Sequence, residues 1–496
     1  MAAVFFRGNV KFFHFLSGYV KFTSGYRSVS YDIGQPTSYS HPHLLKDGEV
    51  TPRITKAEFA ERRSRFAEEL YKTHHGMTNT KHVVLISGAP IRYMCNDIPY
   101  KFHQNPNLNY LCGFGEPDCV LLLESSSKGL PSHKAILYVQ PKDQFHELWN
   151  GVRCGPVGAV EHFGVDEAYE ISQLKDDLQS KYASNAYSVW YDAPDCVNHD
   201  LHSDIHDGLM TQDSNIISVN SPTEHIHKLR TIKSEAEVDL MRTAGIIASK
   251  AFQDAMRNTT PSMTETQLES VFEHRCKMDG AQWLSFPPVV AGGERALSLH
   301  YIKNDQLLQE SQLVLMDAGC EYHGYVSDIT RTWPVNGHFT PAQRALYEAI
   351  LDVQNKIIKV TKAGETLDHL HHIASNLLTE ALKSLGIISN RTGQHTVGRL
   401  FPHHVSHYLG LDVHDTMLID RTNKLLPNMV ITCEPAIYIP KDFPVDQPQI
   451  ANEFRGIGIR IEDNLLITHD SVEVINKDCP KDVKEIESLV GTKCNH

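Results

Sequence analysis

Four carboxylates stand where the neighbouring residues are apolar and strand-forming. Asp317 follows LVLM (313 to 316), Asp328 lies farther along the same stretch, LMDAGCEYHGYVSDITRTWP, Glu434 closes MVITC, and Glu462 closes GIGIRI. A solvated sheet face would alternate such acids with other polar residues. Any one of them alone would read as a salt-bridge partner or a turn residue, but four in one setting need a common cause. An ionised carboxylate in apolar surroundings costs several kcal/mol unless something compensates it. A pair of divalent cations is the economical compensator, because two dications balance four carboxylates. Between Asp328 and Glu434 the run HHVSHYLGLDVHD (403 to 415) can add an imidazole. An oxygen-rich set with one histidine is hard and suits Mn²⁺ or a similar ion better than a sulfur-bound structural zinc. His403 and His407 share the spacing of an H-E-x-x-H zinc peptidase. His404 fills the glutamate position, so the general base of that motif is missing and the reading is rejected. For His403 and His404 a hydrogen-bonded structural role and a catalytic one both stay open.

The elements that must position these groups follow from local pattern. LVLM reads as a buried strand, CEYHG as turn residues, and YVSDITRTW as a returning strand, so the two aspartates fall on adjacent strands of a hairpin. Strand-like runs recur at 429 to 433 and 457 to 461. Ser234 with Glu237 forms a capping box, and Thr340-Pro341-Ala342-Gln343 combines a cap, a first-turn proline and a reciprocal glutamine. Leu346, Ala349, Ile350, Val353, Ile357 and Val360 then make one apolar stripe, which reads as core packing. A further helix near 367 to 385 stops at Gly386. This half is α+β. Upstream, a helix from about Lys56 and the runs HVVLIS, CVLLLE, KAILYV and YSVWYD, separated by polar or helical stretches, indicate an α/β domain. The expected organisation is a distinct N-terminal segment at 1–31, an extended lead-in at 32–55, an α/β domain at 56–222, a linker at 223–233 and the acid-bearing domain at 234–496.

Composition narrows the partners. The 496 residues suffice for two or three domains, and 41% apolar with 22% charged residues is ordinary for a globular chain. A formal charge of −13 argues against nucleic acid or an anionic membrane surface. The ten cysteines include no C-x-x-C pair and read as reduced thiols. No uninterrupted apolar run reaches the eighteen or so residues that span a bilayer as a helix. Residues 1–31 carry Arg7, Lys11, Lys21 and Arg27 with no acid before Asp32, the composition of a mitochondrial transit peptide. A secretory signal does not fit, because Arg7 and Lys11 interrupt the would-be apolar core. A mitochondrial, matrix location is expected, with a cytosolic form from a downstream start left open.

The set GQPTSYSHPHLLKDGEVTP, NDIPYKFHQNPNLNYLCGFGEPD, FPPVVAGG, MDAGCEYHGYVSDITRTWP, HHVSHYLGLDVHD, CEPAIYIP and GIRIEDN resembles the aminopeptidase P family of pita-bread metallopeptidases, most of all its animal mitochondrial branch. The resemblance covers nearly everything after the first 31 residues. It implies a creatinase-like N-terminal domain that serves oligomerisation, followed by a pita-bread catalytic domain. It implies Asp317, Asp328, His407, Glu434 and Glu462 as ligands of a dinuclear site, usually manganese, and His300, His403 and His414 as imidazoles around the substrate. It further implies that Tyr438 and Arg460 line the proline subsite or hold it in shape, and that Arg421 contacts longer peptides. Trp149 would reach a neighbouring subunit's site, which makes a homodimer or homotetramer expected. The implied activity is hydrolysis of the N-terminal Xaa-Pro bond of peptides or processed proteins by a hydroxide made between two metals. Glu434 would carry the proton, His414 would steady the developing charge, and His300 would bond the peptide backbone. A prolidase-type dipeptidase and a catalytically dead binding module of the same fold are the alternatives. Arg421 disfavours the first, and the complete ligand set disfavours the second.

Overall fold

The computed structural model describes residues 33–73, 81–126, 131–183, 185–193, 198–210, 214–389, 394–443 and 452–492. The expected transit peptide lies outside them. In the N-terminal domain, helix α1 (Lys56–Thr73) packs beside strands β1 (Lys81–Ser87), β2 (Val120–Ser125) and β3 (His133–Val139), followed by α2 (Gln144–Asn150), β4 (Glu167–Glu170), β5 (Tyr187–Trp190) and β6 (Ser218–Asn220). The strands form one six-stranded sheet in the order β6-β5-β1-β2-β3-β4. Pairs β6/β5, β5/β1 and β3/β4 are parallel, while β1/β2 and β2/β3 are antiparallel. The β-branched and leucine-rich runs supply strands that can be covered on both faces. Residues 32–55, expected as an extended lead-in, carry a small hairpin (Glu49–Thr51 with Ile54–Thr55), and Ile33, Leu45, Val50 and Ile54 are buried.

The expected linker at 223–233 is a packed connection that carries α3 (Thr223–Thr231), with Arg230 and Lys233 buried. Next come α4 (Glu235–Asn258) and α5 (Glu265–Met278), with the Ser234/Glu237 capping box formed at the start of α4. A second box, Thr264 with Gln267, caps α5 and was not among the expected ones. Strands β7 (Val289–Gly292) and β8 (Leu313–Ala318) lead into β9 (Cys320–Tyr322), β10 (Tyr325–Val326) and β11 (Ile329–Pro334). Helix α6 (Pro341–Val360) carries the Thr340/Gln343 box and buries Leu346, Ile350, Val353 and Ile357, while Val360 at its end is exposed. Helix α7 (Leu367–Ser384) ends before Gly386, whose φ of +72° suits glycine. Strands β12 (Val430–Cys433), β13 (Ala436–Tyr438), β14 (Gly458–Arg460), β15 (Asp463–Ile467) and β16 (Val472–Val474) complete the domain. Every strand pair named in this domain is antiparallel.

One local expectation needs correction. CEYHG is not all turn: Cys320–Tyr322 is itself a strand, paired with Tyr325–Val326, and only His323 and Gly324 turn. Their φ values of +50° and +89° are those of a two-residue hairpin turn whose twist matches the strands. Between the two ladders Gly319 has no space for a side chain, since a Cβ there would lie 1.8 Å from the Ser327 carbonyl oxygen. Gly319 thus separates the short ladder of β9 and β10 from that of β8 and β11, in which Asp317 stands opposite Thr330.

The domains share a core rather than touching at a point. One apolar cluster joins Phe59, Val84 and Leu121 to Val238, Met241, Tyr325, Leu409 and Val430. Polar groups cross the same boundary, with Ser234 Oγ donating to Glu58 Oε1 at 2.7 Å and Arg62 Nη2 3.4 Å from Glu237 Oε2. No helix among the described residues is long and apolar enough to cross a membrane.

Candidate metal centre and active site

The five expected ligands arrive from three places. Asp317 is on β8 and Asp328 just before β11; His407 follows the 403–404 pair in a loop, Glu434 stands immediately beyond β12, and Glu462 stands immediately before β15. Antiparallel pairing of β8 with β11 and of β12 with β15 brings these strand ends together. One ligand atom each from Asp328, His407 and Glu462 lie within 4.8 Å of one another. His407 Nε2 is 3.4 Å from Asp328 Oδ2 and 3.6 Å from Glu434 Oε1. Asp317 closes the ring through Arg460, whose Nη2 donates to its Oδ2 at 2.5 Å.

Two observations fit this donor set to divalent cations. His407 Nδ1 lies 3.0 Å from the Tyr408 carbonyl oxygen, which can only accept. A ring hydrogen therefore sits on Nδ1, and Nε2 is the nitrogen that faces Asp328 and Glu434, the orientation of a metal-ligating imidazole. Asp317 Oδ1 is buried with no hydrogen-bond partner, an acceptor that a cation would complete. The electrostatics agree. Burial, reinforced by Glu462, pushes the Glu434 carboxyl up to about 8. Asp328 and Glu462 are raised well above the carboxylate range, by burial first and then by Asp317 and Glu434 on the one and by Asp328 and Asp317 on the other. Each of these shifts moves the carboxyl toward its neutral form, against the cost of gathering like charges in a buried site.

Further hydrogen bonds fix these side chains. Thr330 Oγ1 donates to Glu462 Oε2 at 2.6 Å, and the His407 N–H donates to Thr432 Oγ1 at 3.1 Å. The Asp328 N–H donates to Asn464 Oδ1 at 3.0 Å, and Asn464 Nδ2 donates back to the Asp328 carbonyl. Arg331, fully buried, donates to the Glu462 carbonyl at 2.6 Å and to Asp463 at 2.6 Å.

A cavity of about 380 Å³ opens onto the acids and is lined by His300, His403, His404, His414 and Arg421 among others. His403 Nε2 lies 3.1 Å from the Tyr438 hydroxyl, which accepts from Arg460 Nη1 at 2.6 Å. Burial and then the Arg460 charge lower His403 to about 3, so its ring is neutral. His414 is lowered by burial and by His407, and it meets the His407 ring edge-on at 4.7 Å. His300 and Arg421 are exposed at the rim. His404, left open from sequence, stacks on His371 at 4.5 Å and faces the cavity beside the expected ligands. Trp149 stands apart: it is 73% exposed on α2, a helix with no buried residue, and does not line the cavity of its own chain. Sequence reading missed Leu299, Ser406 and Met417 on the wall and the Thr330, Arg331, Thr432 and Asn464 supports. A signal existed for the supports, since polar side chains inside otherwise buried strands need internal partners.

Comparison with known proteins places these features in a family context. Residues 239–469 match the model of metallopeptidase family M24, and residues 59–190 match the aminopeptidase P N-terminal domain. Xaa-Pro aminopeptidase 3 of Homo sapiens is 44% identical over 462 residues, 92% of this chain and 90% of that protein. The mitochondrial intermediate cleaving peptidase 55 of Arabidopsis thaliana is 37% identical over 464 residues, 94% of this chain and 89% of its own length. Among solved structures, zinc-substituted Escherichia coli aminopeptidase P with product superposes with a TM-score of 0.79 at 30% identity, covering 88% of this chain and 98% of that one. Icp55 of Saccharomyces cerevisiae superposes with a TM-score of 0.78 at 33% identity, covering 90% and 99%.

Proposed function

The chain belongs to metallopeptidase family M24 and carries the aminopeptidase P N-terminal domain, and on that premise we propose that it removes the N-terminal residue ahead of proline from peptides or processed proteins. The observation that carries this reading is that Asp317, Asp328, His407, Glu434 and Glu462 line one cavity, with Asp328, His407 and Glu462 clustered and a buried oxygen of Asp317 left without a hydrogen-bond partner. Two divalent cations held by these five residues, manganese by the hardness of the set, would supply hydroxide near neutral pH and polarise the scissile carbonyl.

The remaining chemistry belongs to the chain's own groups. Glu434, whose buried carboxylate has a raised proton affinity, receives the proton released by water and passes it to the departing nitrogen. The bond from the carbonyl carbon to that nitrogen breaks as the oxygen of water becomes part of the new carboxylate. His414, neutral and at the cavity, donates a hydrogen bond to the carbonyl oxygen as negative charge develops there. His403, held between the His404 carbonyl and Tyr438, walls the same side of the cavity. Arg460 lines the cavity where a proline ring can rest, Tyr438 holds Arg460 and His403 in place through its buried hydroxyl, and His300 at the rim pairs with the peptide backbone. Proline suits such a site because its nitrogen has no hydrogen and its ring fixes φ, so recognition cannot use an N–H on the leaving residue. A neighbouring subunit's Trp149 would complete the wall in a homodimer or homotetramer.

The test is a substrate panel with Mn²⁺ added or chelated. Xaa-Pro-Yaa tripeptides should be cleaved and Xaa-Pro dipeptides poorly, with activity lost in chelator. Arg421→Ala should raise KM for tripeptides and longer peptides by about tenfold, the size of one lost charged contact. Preference for dipeptides would turn the assignment to a prolidase-type enzyme. The relatives named above include a mitochondrial peptidase, and the acid-free basic segment at 1–31 supports the same address for this chain. A reporter fused to residues 1–31 should enter mitochondria, and one that stayed in the cytosol would overturn that address.

A further inference from the structure

Thr330 sits fully buried on β11, directly opposite Asp317 on β8, and its hydroxyl touches two charged groups. Its Oγ1 accepts from Arg460 Nε at 2.9 Å and donates to Glu462 Oε2 at 2.6 Å. The direction of the first bond is forced. A guanidinium can only donate, so the single hydroxyl hydrogen is left for the carboxylate. The same Arg460 then donates through Nη2 to Asp317 Oδ2. One hydroxyl thus ties together two acids on different strands, Glu462 directly and Asp317 through the arginine.

We propose that Thr330 is a positioning residue of the metal centre, which selects Glu462 Oε1 as the oxygen turned to the cations and holds Arg460 on one oxygen of Asp317, so that the other stays free. The proposal rests on the metallopeptidase reading above. The orphaned oxygen of Asp317 is Oδ1, the one Arg460 does not use, which is the arrangement this role requires. With the hydroxyl absent, Glu462 Oε2 loses its donor, the carboxylate can rotate, and Arg460 Nε is left buried without an acceptor. Arg460 can then swing toward Glu462, whose Oε2 is 4.0 Å from Nε, and compete with the cations for it.

Thr332 provides an internal control. It is two residues along the same strand, equally buried, and hydrogen-bonded to the backbone of Arg460 through its own hydroxyl, yet it meets no ligand. The experiment titrates Mn²⁺ alone into the metal-free full chain by calorimetry, for the parent, Thr330→Val, Thr330→Ser and Thr332→Val. Loss of a group that orients a metal ligand lowers affinity about 10- to 100-fold, and that is expected for Thr330→Val. Thr330→Ser should recover most of it, and Thr332→Val should bind like the parent. Parent-like binding by Thr330→Val, failure of Thr330→Ser to recover, or an equal loss in Thr332→Val would each overturn the proposal. Should Thr330→Val not fold, Thr330→Ala removes the same hydroxyl without adding bulk and is read against Thr330→Ser in the same way. A parent chain that binds no Mn²⁺ would instead defeat the functional reading on which the proposal stands.

Discussion

Asp328→Asn should yield a protein that folds as well as the parent, gains no stability from Mn²⁺ and loses peptidase activity by at least about 10³-fold, the scale expected when a member of a cooperative catalytic set is removed. Burial, and then the neighbouring Asp317 and Glu434, push the Asp328 carboxyl well above its ordinary value, toward the neutral form. The amide that replaces it is then nearly equal in shape and charge, and its cost to the metal-free chain should stay within about 1 kcal/mol. The backbone of Asp328 is held independently by Asn464, so the strand end keeps its place. What the amide cannot do is balance a dication. For the parent, Mn²⁺ at a hundred times its dissociation constant should add about 2.7 kcal/mol of stability, and the variant should show little of this. Asp317→Asn is a poorer probe because it also strips Arg460 of its ion-pair partner. Thermal melts with Mn²⁺ and with chelator, paired with a tripeptide assay, decide the matter: full activity or a parent-like Mn²⁺ shift in Asp328→Asn would exclude Asp328 as a ligand.

Asp415→Ala should cost about 3–5 kcal/mol in denaturant unfolding at neutral pH, the price of leaving buried charges without their partner. Arg230, Lys233 and Asp415 have side chains 3%, 1% and 1% exposed. Asp415 accepts from both cations, while Arg230 also donates to Asn107 Oδ1 at 2.6 Å and to Asp412 Oδ2 at 2.7 Å. The cluster fastens the segment carrying His407 and His414 to α3 and to the N-terminal domain. Burial alone would raise the Asp415 carboxyl, but Arg230 and Lys233 prevail and hold it below its ordinary value. A depressed folded-state pKa stabilises the fold above the unfolded value near 3.8, and that contribution is lost as pH falls through the folded value. The gap between parent and variant should therefore be widest near neutrality and narrow in acid. A cost below about 1 kcal/mol at neutral pH, or a gap that widens in acid, would contradict this account.

Local chemistry was legible in the chain wherever a short stretch carries its own instruction. Ser234 with Glu237 and Thr340 with Gln343 announce helix starts because cap and reciprocal acceptor are three residues apart, and both boxes are formed. The four acids were legible for the opposite reason: Asp317, Asp328, Glu434 and Glu462 contradict the apolar strands they sit in, and a contradiction of that kind has few physical remedies. Turn chemistry was harder. The two-residue turn at His323 and Gly324 depends on how far Cys320–Tyr322 pairs, which the composition of CEYHG does not state.

By itself, then, the sequence determined which residue types were available for a cationic centre, the strands and caps around them, and the family pattern that ranks them. Tertiary structure alone decided which atoms face which. That Thr330 spends its one hydrogen on Glu462, that Arg460 leaves one oxygen of Asp317 free, and that Arg230 in an expected linker anchors the His414 segment all depend on contacts between residues more than a hundred positions apart. Pattern along a chain encodes periodicity and local hydrogen bonding. The direction of a buried hydrogen bond is fixed only when strands pair in register and every donor must find its acceptor.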